Sequence, residues 1–345
     1  MNDFSPKERL LRVIQHKKVD RPPVICTGGM MNAAVVGVMN QTGYTLPEAH
    51  HHQVLMANLS EAVCQKTGFE NLGLPFCMTV EAEVLGSDIN FGSLACEPKI
   101  ANEVFPSVSQ IEFQEIAGLK NSGRLNTVAE ACSILAHQYS DIPVIGSLTG
   151  PISTAASIVD PITFLKELRK DRENAHRAIE YVSDFLIMYA EKLVESGASI
   201  ITIGDPTATG EILGPKMFEE YAVLYLNRII EKIHRLGVPV ILHICGEMKA
   251  VKHLIPKLKS DTLSTDALVN LRLLKEEFPS LITMGNLSTY LLEFGTNEKV
   301  ADHAEKLIED GIDIISPACG LSTSSALSNI QALTNTIKEH KYGSR

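Results

Sequence analysis

The clearest chemistry in this chain sits on three side chains, His243, Cys245 and Cys319. His243 and Cys245 stand two apart at the end of an apolar run, Val238-Pro239-Val240-Ile241-Leu242-His243-Ile244-Cys245, which stops at Gly246. Alternate residues of a strand project to the same side, so the imidazole and the thiol share a face. Cys319 closes a second run, Ile312-Asp313-Ile314-Ile315-Ser316-Pro317-Ala318-Cys319-Gly320, in the same manner. One imidazole and two thiolates are borderline-to-soft ligands that suit zinc (Zn2+). Structural zinc sites have four protein ligands, and catalytic ones keep a position open. The chain has no Cys-x-x-Cys pair, so three ligands with an exchangeable fourth is the sharper reading. Two thiolates leave the metal electron-rich, suited to binding and deprotonating an incoming thiol more than to making hydroxide. On spacing alone, three ordinary buried residues is an equally good reading, since cysteine is among the most buried residue types.

Further polar residues end other runs. Glu81 and Glu83 follow a weaker run from Leu72 to Val80. As an i, i+2 pair they could line the same opening, one as a weak fourth ligand or as a carboxylate partner of His243; a solvated helix start is the competing reading. Asp205, before Pro206, closes the run Ser199–Ile203. It reads either as a residue that orients a ligand or as a helix N-cap, and Asp266 carries the same pair of readings. Gly28-Gly29 lacks the context of a phosphate loop and is expected to give a turn or leave room for a ligand. His50-His51-His52 is a poor single metal site, because adjacent helical side chains do not share a face; a solvated helix start is expected there. Cys26, Cys64, Cys77, Cys96 and Cys132 lack spaced partners, and packing is the better reading for each. Met30, Met31 and Met39 read either as core or as an adaptable surface for a ligand, and core is the expectation.

Positioning these residues requires strands that end at one face. Eight short β-branched runs, beginning near residues 23, 72, 142, 199, 238, 262, 281 and 312, end in Gly, Pro, Ser, Thr or Asp. Helical periodicity separates them, over Phe164–Ser196 (one long helix or two), Pro215–Leu236 and Asn297–Asp310. Near-continuous apolar strands belong to parallel sheets covered on both faces. Eight such units favour an α/β fold, a (β/α)8 TIM barrel, over an open doubly wound sheet. In a barrel the strand ends open on one face, where His243, Cys245 and Cys319 can meet. The expected organisation is a single barrel domain over residues 1–345, with residues 26–135 less regular and inserted over one face.

The chain has 345 residues, a net charge of −10 and 45% hydrophobic residues, which is ordinary for a large globular core. An acidic balance argues against nucleic acid or an anionic membrane surface as partners. No apolar run has the length of a membrane span, and the polar stretch Met1–Arg12 does not read as a signal peptide. Seven scattered cysteines do not form a secreted disulfide framework, so a reducing cytoplasm is expected.

Read together, these motifs are familiar. The opening Lys7-Glu8-Arg9-Leu10-Leu11 and Asp20-Arg21-Pro22-Pro23-Val24 are joined by Leu74-Pro75-Phe76-Cys77-Met78-Thr79-Val80-Glu81-Ala82-Glu83, Thr149-Gly150-Pro151 and Asp205-Pro206. Leu242-His243-Ile244-Cys245-Gly246, Met284-Gly285-Asn286, Gly311-Ile312-Asp313-Ile314, Pro317-Ala318-Cys319-Gly320-Leu321 and Asn329 follow. From Ser5 to about Thr336 the chain resembles the methylcobamide:coenzyme M methyltransferases, a branch of the uroporphyrinogen decarboxylase-like superfamily. The opening segment marks the superfamily, and His-x-Cys-Gly with a late Cys-Gly marks the branch. The resemblance implies zinc on His243, Cys245 and Cys319 of a barrel. It implies attack by an acceptor thiolate on the methyl group of a methyl-Co(III) corrinoid, a methylcobamide carried by a separate small corrinoid protein, as in methanogenesis and one-carbon metabolism. Glu83 and Asp205 would be catalytic, and Gly28, Gly29 and Asp266 would lie at the substrate. Coenzyme M is the expected acceptor, although no Lys or Arg at a strand end is an evident sulfonate partner; amides near Gly28-Gly29 or Gly320 could serve. Tetrahydrofolate is the alternative acceptor. A decarboxylase of carboxylated tetrapyrroles is a rival reading, weakened because Thr27-Gly28-Gly29-Met30-Met31-Asn32-Ala33-Ala34 holds neither the Arg nor the Asp expected there. A non-catalytic module that binds a corrinoid protein and delivers zinc is a third.

Overall fold

The computed structural model describes residues 4–340; residues 1–3, which open the polar N-terminal stretch, and residues 341–345 lie outside the described residues. Among the described residues nine strands form: β1 (Leu72–Leu74), β2 (Asp88–Asn90), β3 (Lys99–Asn102), β4 (Val144–Thr149), β5 (Ile200–Gly204), β6 (Val240–Ile244), β7 (Thr262–Thr265), β8 (Ile282–Leu287) and β9 (Ile314–Pro317). β1 and β4 to β9 make one sheet in that order, with every pair parallel.

The eighth staves position belongs to the extended segment Pro23–Cys26, which closes the sheet into a (β/α)8 barrel. On one side Val24 bridges Ile315 in parallel, with Ile25 N–H donating to Ile315 O at 3.0 Å and Ile315 N–H to Pro23 O at 2.9 Å. On the other side Glu70 N–H donates to Val24 O at 2.9 Å. The Asn71 side chain then copies a backbone rung, accepting from Cys26 N–H and donating to Cys26 O, both at 2.9 Å.

Side-chain parity explains the interior. Ile25, Ile145, Ile200, Ile241, Ile282 and Ile314 pack with Met31 and Met284 in one aliphatic cluster inside the barrel. The helix Pro6–Ile14 adds Leu10, Val13 and Ile14 to that cluster and plugs the end where the strands begin. It starts at Ser5, whose hydroxyl accepts from Glu8 N–H at 3.2 Å, with Pro6 at the first helical position. A larger aliphatic layer lies between the sheet and the outer helices, as expected for strands covered on both faces.

Two helical expectations resolve into finer pieces. The 164–196 stretch is two helices, Pro161–Lys170 and Arg172–Glu195. The 215–236 stretch is Gly210–Met217, a wide-turn segment Phe218–Val223, and Leu224–Arg235. The weaker run from residue 72 to 80 is a strand for three residues only, and Val80–Val84 is a helix. Within residues 26–135, helices Val36–Thr42 and Gln53–Thr67 and the antiparallel β2–β3 hairpin lie outside the sheet. The tip of the hairpin reaches the loop after β9, where Thr323 Oγ1 donates to Ala95 O at 2.9 Å. No described helix is long and apolar enough to cross a membrane.

Candidate metal centre

Ile241 points into the barrel cluster, so His243 and Cys245, two and four residues on, project to the same side at the open end. Cys319 arrives from the loop after β9. Among the described residues these three form the one group of His, Cys, Asp or Glu whose ligand atoms converge, all within 4.8 Å of one another. His243 Nε2 lies 3.3 Å from Cys245 Sγ, and Cys245 Sγ lies 3.7 Å from Cys319 Sγ. A tetrahedral zinc with Zn–S near 2.3 Å and Zn–N near 2.0 Å needs edges of about 3.8 Å between sulfurs and about 3.5 Å from nitrogen to sulfur. These two edges match that geometry to about 0.2 Å and the third, from His243 to Cys319, is no longer than 4.8 Å, so the donor set is compatible with a zinc ion. His243 is fully buried and both thiols are half-buried, which leaves one side of the group open.

The two sulfurs lie within hydrogen-bonding distance of each other. The hydrogen bond from Cys245 draws Cys319 down toward the thiolate against the opposing effect of burial, and the Gly320 N–H assists. The same bond raises Cys245, as do burial and the carboxylates of Asp266 and Asp205. An acidic surround that opposes a second thiolate is the surround that a divalent cation would relieve.

The other sequence candidates lie around this group in different roles. Asp205 is wholly buried, and burial pushes its carboxyl up to about 6. It accepts from Ile152 N–H at 3.1 Å, Ser153 N–H at 2.8 Å and Ser153 Oγ at 2.6 Å. It thus caps the neighbouring helix Pro151–Ile158, while Thr209 caps the helix that follows Asp205 itself. Asp266 Oδ1 accepts from Leu268 N–H at 3.0 Å in the loop after β7. Gly28 and Gly29 adopt φ of +99° and +59°, and a Cβ on Gly28 would stand 2.7 Å from Leu74 N. Their amides are used inside the fold, Gly28 N–H on Met31 O at 3.1 Å and Gly29 N–H on Pro75 O at 2.7 Å. They pack the first loop against β1 and are not presented to a ligand as sulfonate donors.

Because Val80–Val84 is helical, Glu81 and Glu83 diverge instead of sharing a face. Glu81 is buried against β4 and accepts from Thr149 N–H at 2.7 Å and Thr149 Oγ1 at 3.1 Å. Glu83 pairs with the buried Arg124. Arg124 also donates to Cys77 Sγ at 3.2 Å and Thr79 Oγ1 at 2.8 Å, and its guanidinium lies 4.9 Å from the Phe91 ring centre. The partner of His243 is a hydroxyl and not a carboxylate: Ser264 Oγ is 2.9 Å from Nδ1.

The sequence reading missed several of these placements. Ser264 faces His243 in the β6–β7 register, and only strand parity hinted at it. Arg124 opens the helix Gly123–Gln138 far along the chain from its partners, with no local signal. Glu97, in the connection between β2 and β3, has its carboxyl pushed up chiefly by burial, with Cys319 among the groups whose charge it feels. His50, expected in solvent, is fully buried, neither ring nitrogen has a hydrogen-bond partner among the described residues, and burial pushes it down to about 3. His51 and His52 are the exposed members of that run.

The uroporphyrinogen decarboxylase (URO-D) family model matches residues 5–340. Methylcobamide:CoM methyltransferase MtbA of Methanosarcina acetivorans is 34% identical over 344 residues, covering 99% of this chain and 100% of that protein. Methylcobamide:CoM methyltransferase MtaA of Methanosarcina barkeri is 29% identical, covering 99% of each chain. A solved methyltransferase from Methanosarcina mazei superposes with a TM-score of 0.91 at 28% identity, over 97% of this chain and 99% of that one.

Proposed function

The chain belongs to the uroporphyrinogen decarboxylase family, in its methylcobamide:CoM methyltransferase branch, and is a methyltransferase; we propose that it moves a methyl group from a methyl-Co(III) corrinoid, held by a separate small protein, to the thiol of coenzyme M. The observation that carries the metal part of this reading is the convergence of His243, Cys245 and Cys319 at tetrahedral spacing, with one side open. In this reading those three residues hold zinc, within a single barrel domain. The seven free thiols support a reducing compartment, the cytoplasm.

Zinc bound there would act as a Lewis acid that lowers the acceptor thiol's pKa, so that the nucleophile exists at neutral pH. The chain's own part is positional. β6 and the loop after β9 present three ligands from one side, so the acceptor is directed to the open side of the group. The buried imidazole and the aliphatic interior below it exclude water from beneath the site. The methyl group passes to the acceptor sulfur, and both electrons of the Co–C bond remain on cobalt, giving a methyl thioether and Co(I). That displacement needs the cobalt–methyl bond aligned with the sulfur, which the docked partner supplies.

The test is zinc content followed by calorimetric titration of coenzyme M. The expected result is about one zinc per chain and about one proton released per thiol bound, and then methyl transfer from methylcobalamin. Zinc with no coenzyme M binding, but with transfer to tetrahydrofolate, would replace the acceptor. Zinc-free protein transferring methyl at the full rate would overturn the metal reading.

A further inference from the structure

A neutral imidazole has one N–H and one bare lone pair, and only the bare nitrogen can take a metal. At His243 the nitrogen facing the thiols is Nε2, so a metal held there requires the ring proton on Nδ1. Nδ1 faces Ser264 Oγ at 2.9 Å. A serine hydroxyl could accept this proton or donate its own, and the second choice would put the imidazole proton on Nε2, against the ligand cluster. The structure gives the hydroxyl hydrogen somewhere else to go: Ser264 Oγ lies 3.9 Å from Met31 Sδ. Ser264 and His243 are fully buried and Met31 nearly so, and among the described residues the hydroxyl has no other hydrogen-bond partner.

We propose that Ser264, with the Met31 thioether behind it, is a positioning residue that fixes His243 as the Nδ1–H tautomer and so aims a bare Nε2 at Cys245 and Cys319. The relay runs His243 Nδ1–H to Ser264 Oγ, then Ser264 O–H to Met31 Sδ. Thioether sulfur is a weak acceptor; its role here is to be the one group on that side that can take the hydrogen. Met31 reaches this position because the glycine turn at Gly28 sends the first loop back over the barrel interior. The proposal rests on the zinc reading for its purpose, but the tautomer exists with or without metal.

The experiment uses the full chain, 15N-labelled at histidine, with Ser264→Ala, Ser264→Thr and Met31→Leu variants. In metal-free wild type the ring nitrogens of His243 are expected to report the Nδ1–H tautomer. Zinc affinity, measured by chelator competition, is expected to fall about 10- to 100-fold in Ser264→Ala and to be restored in Ser264→Thr, which keeps the hydroxyl. Met31→Leu conserves volume and is expected to shift the tautomer toward Nε2–H with the fold intact, so the idea survives a Ser264→Ala that fails to fold. An Nε2–H tautomer in wild type, or zinc affinity unchanged in Ser264→Ala, overturns the proposal. If wild type takes no zinc at all, the metal reading falls while the ring-nitrogen signals still decide the role of Ser264.

Discussion

Glu81→Gln should stabilise this protein at neutral pH and lose that advantage in acid. Glu81 is 1% exposed, and burial pushes its carboxyl from 4.5 up to about 7. A carboxyl whose folded pKa is raised binds its proton more tightly when folded. Its contribution is therefore full below about pH 4.5, falls as pH rises to about 7, and is flat beyond. At about 1.4 kcal/mol per pH unit across that window, the ionised form costs roughly 3 kcal/mol. Glutamine imitates the protonated carboxyl. Its carbonyl can accept from Thr149 N–H, and its amide can donate to Thr149 Oγ1, whose own hydrogen has Met78 O within 3.3 Å. The stability gap between variant and wild type should widen by about 2 kcal/mol from pH 5.5 to 7 and then stay constant. For a chain of this length that is a relative rise of about 3 °C in melting temperature. Calorimetric scans in half-unit pH steps would follow it. A gap independent of pH would show that Glu81 ionises normally, and one that narrows as pH rises would refute the sign.

Two further substitutions test the surrounding framework. Asp205→Ala removes the acceptor for two amides and a hydroxyl at the start of the helix Pro151–Ile158 and should cost about 2–4 kcal/mol; urea midpoints equal to wild type would show that Asp205 is not that helix's cap. Glu83→Ala leaves Arg124 with Cys77 and Thr79 but without its carboxylate. The expected loss is about 2 kcal/mol, below that of a fully enclosed pair because the Glu83 side chain is 27% exposed, and unchanged unfolding would mean that the pair contributes nothing.

The parts of this molecule that were legible in advance are those encoded by local periodicity. The runs at 142, 199, 238, 262, 281 and 312 became strands because β-branched residues of this kind pack on both faces of a parallel sheet. The meeting of His243 and Cys245 with Cys319 followed from parity and from barrel topology together. After Val80 a short apolar run has too few residues to separate a period of two from 3.6, so a shared strand face and a helix start were both open for Glu81 and Glu83, and the helix is what forms. Asp205 was read against its own helix, whereas its partners come from the adjacent barrel unit. Ser264, Arg124 and the burial of His50 depend on contacts between distant segments, which no window of sequence contains.

The seam where Pro23–Cys26 closes the barrel has a consequence for biosynthesis. One neighbour of Val24 is Ile315, about 290 residues later in the chain. At roughly 5–20 residues per second, the ribosome needs about 15–60 s to make that neighbour. Throughout this interval Leu10, Val13, Ile14 and Ile25, all destined for the barrel interior, have no interior to enter. Glu70 and Asn71 emerge much sooner, and they can hold the segment by Arg9, Arg21, Val24 and Cys26. The groups that pair with the apolar N-terminal segment through the Asn71 rung are thus synthesised well before β9, the segment's other neighbour.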